Sequence, residues 1–133
     1  MFMWTSNPHL AEAIDLGQAW GFKYVTVGFV WDKMRTTVGH YTLSQCELCL
    51  LFKRKGGKIP RPRGQRNVKQ FLSVERGKHS AKPQEVHDRI TKMFPSQMKF
   101  EMFARQEYCS PLDEGWDHWG NEIEVPMRAA VNF

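Results

Sequence analysis

Two long runs dominate the chain. Residues 22–31 (FKYVTVGFVW) and 45–52 (QCELCLLF) are rich in aliphatic, β-branched and aromatic residues. Such runs read as strands too apolar to lie at a surface, and the first reads as a central strand. Strands of this kind need helices to cover them, and two windows qualify. Asn7-Pro8 opens the first, with Asn7 as N-cap and Pro8 in the first turn, and Gly21 closes it. Leu10, Ala13, Ile14, Leu16 and Trp20 mark its apolar face, with Gly17 as a weak point. The second spans residues 83–94, with Val86, Ile90, Met93 and Phe94 on one face. Short strands are expected at residues 2–5, 71–74 and 99–104, and a short final element at 121–125. Residues 32–44 and 105–115 read as loops and 127–133 as a tail. Strands alternating with two helices predict a single α/β domain over residues 1–133 with a mixed, mostly parallel sheet and flanking helices.

Composition narrows the function classes. Hydrophobic residues at 41% and charged residues at 25% indicate a globular chain of modest core, neither disordered nor fibrous. No apolar run approaches the roughly 20 residues that span a bilayer, and the first residues show no basic, cleavable leader. A cytoplasmic protein without a membrane partner is therefore expected. The three cysteines, an odd number, argue against a disulfide framework. Cys46 and Cys49 lie three apart in a strand and face opposite sides, so they read as core cysteines and no metal is assigned.

Charge is unevenly placed on this +5 chain. Residues 53–66 carry seven bases and no acid: Lys53, Arg54, Lys55, Lys58, Arg61, Arg63 and Arg66. This Gly- and Pro-rich loop reads as extended and mobile, able to track a phosphate backbone or simply to stay solvated. His40 and Tyr41 fall in a loop where a displaced base could stack, or where the ring is partly buried instead. Asp113, Glu114, Asp117 and His118 match no nuclease pattern, and Trp116 and Trp119 read as packing residues that shape a turn. His87 is expected on the exposed side of its helix.

One strand end draws more attention. In open α/β sheets ligands bind beyond the carboxyl ends of strands. Glu101 lies in such a strand and Arg105 just after it. A carboxylate there can accept hydrogen bonds from a ribose diol, and a cation can meet an anionic group. Lys82 stands at a helix start, which also favours anions. The set can cradle a nucleoside with an acidic tail. The bland alternative is an ordinary surface pair of Glu101 and Arg105.

In order and spacing, these segments resemble one family. They are Phe2-Met3-Trp4-Thr5, Trp20-Gly21-Phe22, Val30-Trp31-Asp32-Lys33, Gly39-His40-Tyr41 and Glu47-Leu48-Cys49-Leu50-Leu51. Next come His79-Ser80-Ala81-Lys82-Pro83, Phe100-Glu101-Met102-Phe103-Ala104-Arg105 and Trp116-Asp117-His118-Trp119-Gly120-Asn121-Glu122. Together they resemble the N(6)-adenine methyltransferases related to the catalytic subunit of the messenger-RNA adenosine methyltransferase, whose bacterial and phage members act on DNA. The resemblance implies a partial Rossmann-like methyltransferase fold with S-adenosylmethionine as cofactor. It places Lys82 at the methionine carboxylate, Glu101 and Arg105 around the ribose, and Asn121 and Glu122 at the adenosine part. The family member compared has His-Asn where this chain has Glu107-Tyr108, so that contact is not carried over. The partner implied is nucleic acid, DNA ahead of RNA, contacted through His40, Tyr41 and the basic loop.

The family's catalytic Asp-Pro-Pro-aromatic motif is absent, since no two of the seven prolines are adjacent. In the family it lies upstream of the strand matched by Phe2 to Thr5. Ser6-Asn7-Pro8-His9 is only superficially similar to an amine-binding motif. Three explanations stay open: a fragment or misplaced start, a catalytically silent relative that binds nucleic acid or a partner, or a chain completed by another polypeptide. A sheet lacking part of itself leaves an edge open to homo- or heterodimerisation.

Overall fold

The computed structural model describes residues 1–78, 81–105, 115–121 and 123. Strand β1 covers Phe2–Ser6. A single 3-10 turn at Asn7–His9, with proline in its first positions, leads into helix α1 at Leu10–Ala19. Asn7 does not cap the turn. Ser6 occupies that position, and the Asn7 amide reaches Cys46 Sγ at 3.5 Å. Gly21 ends the helix at φ 84°, a left-handed conformation that glycine adopts without strain. Gly17 is the point of closest approach rather than a flaw in the apolar face. A Cβ there would enter the Phe52 ring, with Cδ1 at 2.8 Å.

Strands β2 (Phe22–Val38) and β3 (Leu43–Arg54) form one antiparallel hairpin. It is longer than the sequence predicts, because residues 32–38 continue as strand rather than loop. Beyond Asp32 the register shifts, Met34 takes φ 54°, and its N–H is held by Asp32 Oδ1 at 2.8 Å. The hairpin then runs out with residues 34–43 exposed. A two-stranded ribbon wet on both faces needs no apolar alternation, so nothing in the composition announces it.

Strand β4 is Phe71–Ser73. The sheet order is β1-β3-β2-β4, with β1/β3 and β3/β2 antiparallel and β2/β4 parallel. Helix α2 spans Gln84–Met93. Strands β5 (Lys99–Met102) and β6 (Trp116–Trp119) pair in parallel as a separate two-stranded sheet. Trp116 and Trp119 therefore belong to a strand, not a turn. The architecture is mixed α/β, but the expected mostly parallel sheet is corrected. The longest ladder joins β2 to β3, and a tight turn between them dictates antiparallel pairing, whereas a parallel pair needs a long crossover.

The core gathers Phe29, Trp31, Cys49, Leu72, Val86 and Ile90. Phe2 and Trp4 add ring contacts to Phe29 and Trp31, each at 5.9 Å. Val86 and Ile90 are the helical stripe read from the sequence, buried as expected. A neighbouring face of the same helix meets the second sheet: Trp116 Nε1 donates to Thr91 Oγ1 at 3.0 Å, and His87 stacks on the Trp116 ring. Helix α2 thus holds both sheets.

Candidate functional site

Three charges meet beside an aromatic wall. Glu47 projects from β3 with its side chain 17% exposed. Lys33 Nζ lies 3.7 Å from Glu47 Oε1, and Lys82 Nζ pairs with Glu47 Oε2. The Lys82 ammonium also stands 5.6 Å from the Trp4 ring centroid and 5.8 Å from that of Trp31. Ring faces stabilise a cation that has shed part of its water. Two lysines against one carboxylate leave the trio one positive charge in excess. Lys82 borders the open side of this cluster, where an anion is welcome.

Glu101 forms the second element. Strand alternation puts Lys99 and Glu101 of β5 on the face toward α2, together with their partners Trp116 and His118 of β6. Glu101 meets His87 Nε2 at 3.2 Å and His118 Nε2 at 3.5 Å. His87 stacks on Trp116 at 4.5 Å. The expected surface position of His87 is thereby corrected: it is half-buried, and it holds the carboxylate. One Glu101 oxygen faces each of the two imidazoles, so the carboxylate is more than half of a simple surface pair. Lys99 is buried and donates to the carbonyls of Phe94 and Gln97 at 3.0 and 2.8 Å. It so closes the turn after α2.

Lys82, Glu101 and Arg105 line one open cleft of about 1660 Å³ that runs from β1 and α1 to β5. Asn121 does not line it. It follows Gly120, which packs on the Ala104 backbone so closely that a Cβ would overlap the Ala104 carbonyl. The Ala104 N–H donates to the Trp119 carbonyl at 2.9 Å. Asn121 is thus held near the end of β5 but outside the cleft wall.

The basic residues form no single patch with the hairpin tip. His40 and Tyr41 are exposed beyond one end of β3, and Lys53 and Arg54 close the other. Ten strand residues, 43–52, lie between, roughly 33 Å at about 3.3 Å each. Lys55, Lys58, Arg61, Arg63 and Arg66 follow on the loop, all exposed. That loop is tethered rather than mobile. The N–H groups of Gly64 and Gln65 donate to the Met93 and Lys92 carbonyls at 2.9 and 2.8 Å. These are carbonyls that the end of α2 leaves without intrahelical partners. Gly64 is needed there, since a Cβ would overlap the Lys92 oxygen and sit 2.8 Å from Pro95 Cδ.

A family model described as MT-A70 matches residues 1–122. The chain belongs to the MT-A70 family. It is also 52% identical over 137 residues to the Type II methyltransferase M.MunI of Mycoplasma sp, covering 99% of this chain and 56% of that protein. It therefore spans about half the length of the curated relative it matches. The resemblance read from the scattered segments is borne out, and the chain is a member of a methyltransferase family.

In this MT-A70 chain, Glu122, His79 and Ser80 lie outside the described residues, as do Cys109, Asp113, Glu114 and the tail. Glu47, Lys33 and His87 are the residues that sequence reasoning left without a role. Glu47 and Lys33 lie within segments that carried the resemblance, so their positions were marked without their partnership being visible. Cys49 is buried in the core, and burial pushes its thiol up to about 12. Among the described residues no cluster of His, Cys, Asp and Glu could hold a metal, and no helix is long and apolar enough to cross a membrane.

Proposed function

We propose that the chain carries the methyl-donor side of an S-adenosylmethionine-dependent methyltransferase acting on the N(6) amine of adenine in DNA. Family membership supports the reaction class. The observation that carries the placement is the meeting of Lys82, Glu101 and Arg105 in one cleft. The residue types fit such a donor. The excess positive charge of the Lys33–Glu47–Lys82 trio suits a carboxylate tail, and the partly exposed Glu101 carboxylate suits a ribose diol. Within this reading the two sheets are parts of one Rossmann-like methyltransferase sheet.

When bound, S-adenosylmethionine supplies an electrophilic methyl group on a sulfonium. The chain's own residues bind and orient. Lys82 holds the carboxylate end, with Glu47 and the two tryptophans fixing its ammonium. Glu101 accepts from the ribose hydroxyls, and His87 and His118 keep its carboxylate in place. Arg105 lies with Glu101 around the ribose, and the family resemblance assigns Asn121, next to the cleft rather than in its wall, and Glu122 to the adenosine part. Lys53, Arg54, Lys55, Lys58, Arg61, Arg63 and Arg66 engage backbone phosphates, while His40 and Tyr41 make a separate contact. The sequence contains no Asp-Pro-Pro-aromatic motif, so the groups that align the amine by positioning and polarisation are not among these residues.

Calorimetric titration tests the reading. Saturable S-adenosylmethionine binding is expected from this chain, without methyl transfer to adenine-containing DNA. Absence of saturable binding sinks the donor site, and clear turnover refutes the division of labour. A second reading, a silent module that binds nucleic acid, is favoured by one fact: Lys82 and Glu101 already have partners within the chain. It predicts salt-dependent DNA binding with no donor binding at all.

A further inference from the structure

The end of the β2–β3 hairpin is apolar without having a core to join. Beyond Asp32 and Glu47 the hairpin is wet on both faces, yet Val38, Tyr41 and Leu43 are 92%, 102% and 65% exposed at its tip. Val38 and Leu43 are ladder partners, so their side chains share one face. Tyr41 belongs to the four-residue turn between them, 39–42. The arm that presents these side chains is fixed at its root. Asp32 accepts from the Met34 N–H, the Gln45 amide and the Ser73 hydroxyl at 2.8, 2.8 and 3.1 Å. Nearer the tip the Thr37 hydroxyl donates to the Ser44 carbonyl at 3.4 Å. The arm also suits a polyanion. Residues 33–46 hold Lys33, Arg35 and His40 and no acid. The carboxylates that bound the stretch are engaged, Asp32 as described and Glu47 by two lysines. Arg35 meets Glu75 at 3.7 Å with both side chains largely exposed, a pair weak enough for a phosphate to displace.

We infer that the hairpin tip is a wedge that enters the major groove of duplex DNA, where Val38, Tyr41 and Leu43 fill the place of the base that leaves the stack. The inference rests on the reading of the chain as acting on adenine in DNA, because chemistry on a paired base requires that base to be extruded. Size, reach and spacing support it. A two-stranded β-ribbon is an element that the groove, about 12 Å wide, admits, and apolar side chains are what proteins insert between unstacked bases. Leu43 stands four strand residues from Glu47, roughly 13 Å at about 3.3 Å each. The tip therefore lies about one groove width from the carboxylate that holds Lys82, a gap that an extruded base bridges. The basic loop starts at the far end of β3, and Pro60 and Pro62 keep it there by lining a small cavity with Phe2 and Leu51. Its separation from the tip, roughly 33 Å along the strand, is about one turn of B-DNA, about 34 Å. A duplex laid along the hairpin thus meets the loop's cations one turn away from the wedge.

Fluorescence anisotropy tests the wedge without cofactor, using two probes. One is a duplex of mixed sequence about two helical turns long; the other is the same duplex with one central abasic position, which offers the gap ready made. The wild-type chain should bind the abasic duplex about tenfold more tightly, since it is spared the cost of unstacking. Val38→Ser, Tyr41→Ala and Leu43→Ser together should erase that preference. The salt slope, the circular dichroism and the unfolding midpoint should not move, because the three side chains are exposed and uncharged. Equal affinity for the two probes, or a preference that survives the triple substitution, overturns the wedge and leaves the DNA reading intact. Binding to neither probe sinks the DNA reading itself and the wedge with it. A wild-type dimer that the triple substitution dissociates, with the probe preference unchanged, makes the tip an interface between copies of the chain instead.

Discussion

The β2–β3 hairpin and the β5–β6 ribbon are both held by α2, yet they are finished to different degrees. The hairpin has α2 on one face and α1 on the other, pressed in through Gly17 on Phe52, and its Trp31 and Phe52 are almost fully buried. Among the described residues the ribbon has α2 on one face only, where Glu101, His118 and Trp116 meet His87 and Thr91. On its other face Phe100, Met102 and Trp119 are exposed. The hairpin stabilises itself with its own side chains, whereas the ribbon has its Glu101 carboxylate held from one side. The difference teaches that the charged half of the candidate site can be set by α2 while the surface beside it stays available.

Cutting into the core should break the contrast most sharply. Trp31 is 1% exposed and its indole donates to the Val74 carbonyl at 2.8 Å. Trp31→Ala should cost about 3–5 kcal/mol, read from urea unfolding, whereas Met102→Ala on the bare face should stay within about 0.5 kcal/mol. Equal costs would mean that the ribbon is covered after all.

The next effect concerns the ligand rather than the fold. Lys82→Ala should weaken S-adenosylmethionine binding about ten- to hundredfold in titration, as expected for losing a charge-assisted hydrogen bond. Glu47 keeps Lys33 as a partner, so the unfolding midpoint should move much less than for Trp31→Ala. Gly64→Ala probes the tether of the basic loop. It should destabilise by about 1–3 kcal/mol through overpacking against Lys92 and Pro95, with faster exchange of the Gln65 amide. Replacing Arg61, Arg63 and Arg66 by Ala should lower the salt slope of DNA binding by about one for each phosphate no longer neutralised, measured by fluorescence anisotropy. An unchanged slope would remove the loop from the interface.

The smallest effect is at Asp32. Its carboxyl is held below the ordinary value of 3.8 by the Gln45 amide, then by the Met34 N–H and the Ser73 hydroxyl. A depressed folded value means that its contribution is present above the usual carboxylate range. That contribution is lost as pH falls through the folded value. The wild-type unfolding midpoint should therefore drop below about pH 4, and Asp32→Asn should flatten that limb. An identical acid limb in the two proteins would show that the hydrogen bonds do not stabilise the bulge.

Part of this was legible in the residues. Apolar runs and their turn residues located β1, α1, the middle of the hairpin, α2 and β5, because burial imposes a local period that composition records. The ordered segments also carried the family, and Lys82, Glu101 and Arg105 did converge on one cleft. What stayed hidden depends on partners distant in the chain. The antiparallel pairing of β2 with β3, the exposed hairpin extension and the strand at Trp116–Trp119 leave no local signature. Neither do the Glu47 bond to two lysines or the turning of His87 inward onto Glu101. The same sequence distance that lets a polar ribbon pass for a loop lets a half-buried carboxylate pass for a surface one. By itself the sequence determined which segments are apolar, which charges are available and which family they belong to. Only the tertiary structure decided which charges face each other and which face stays bare, because pairing and burial are properties of residues brought together from far apart.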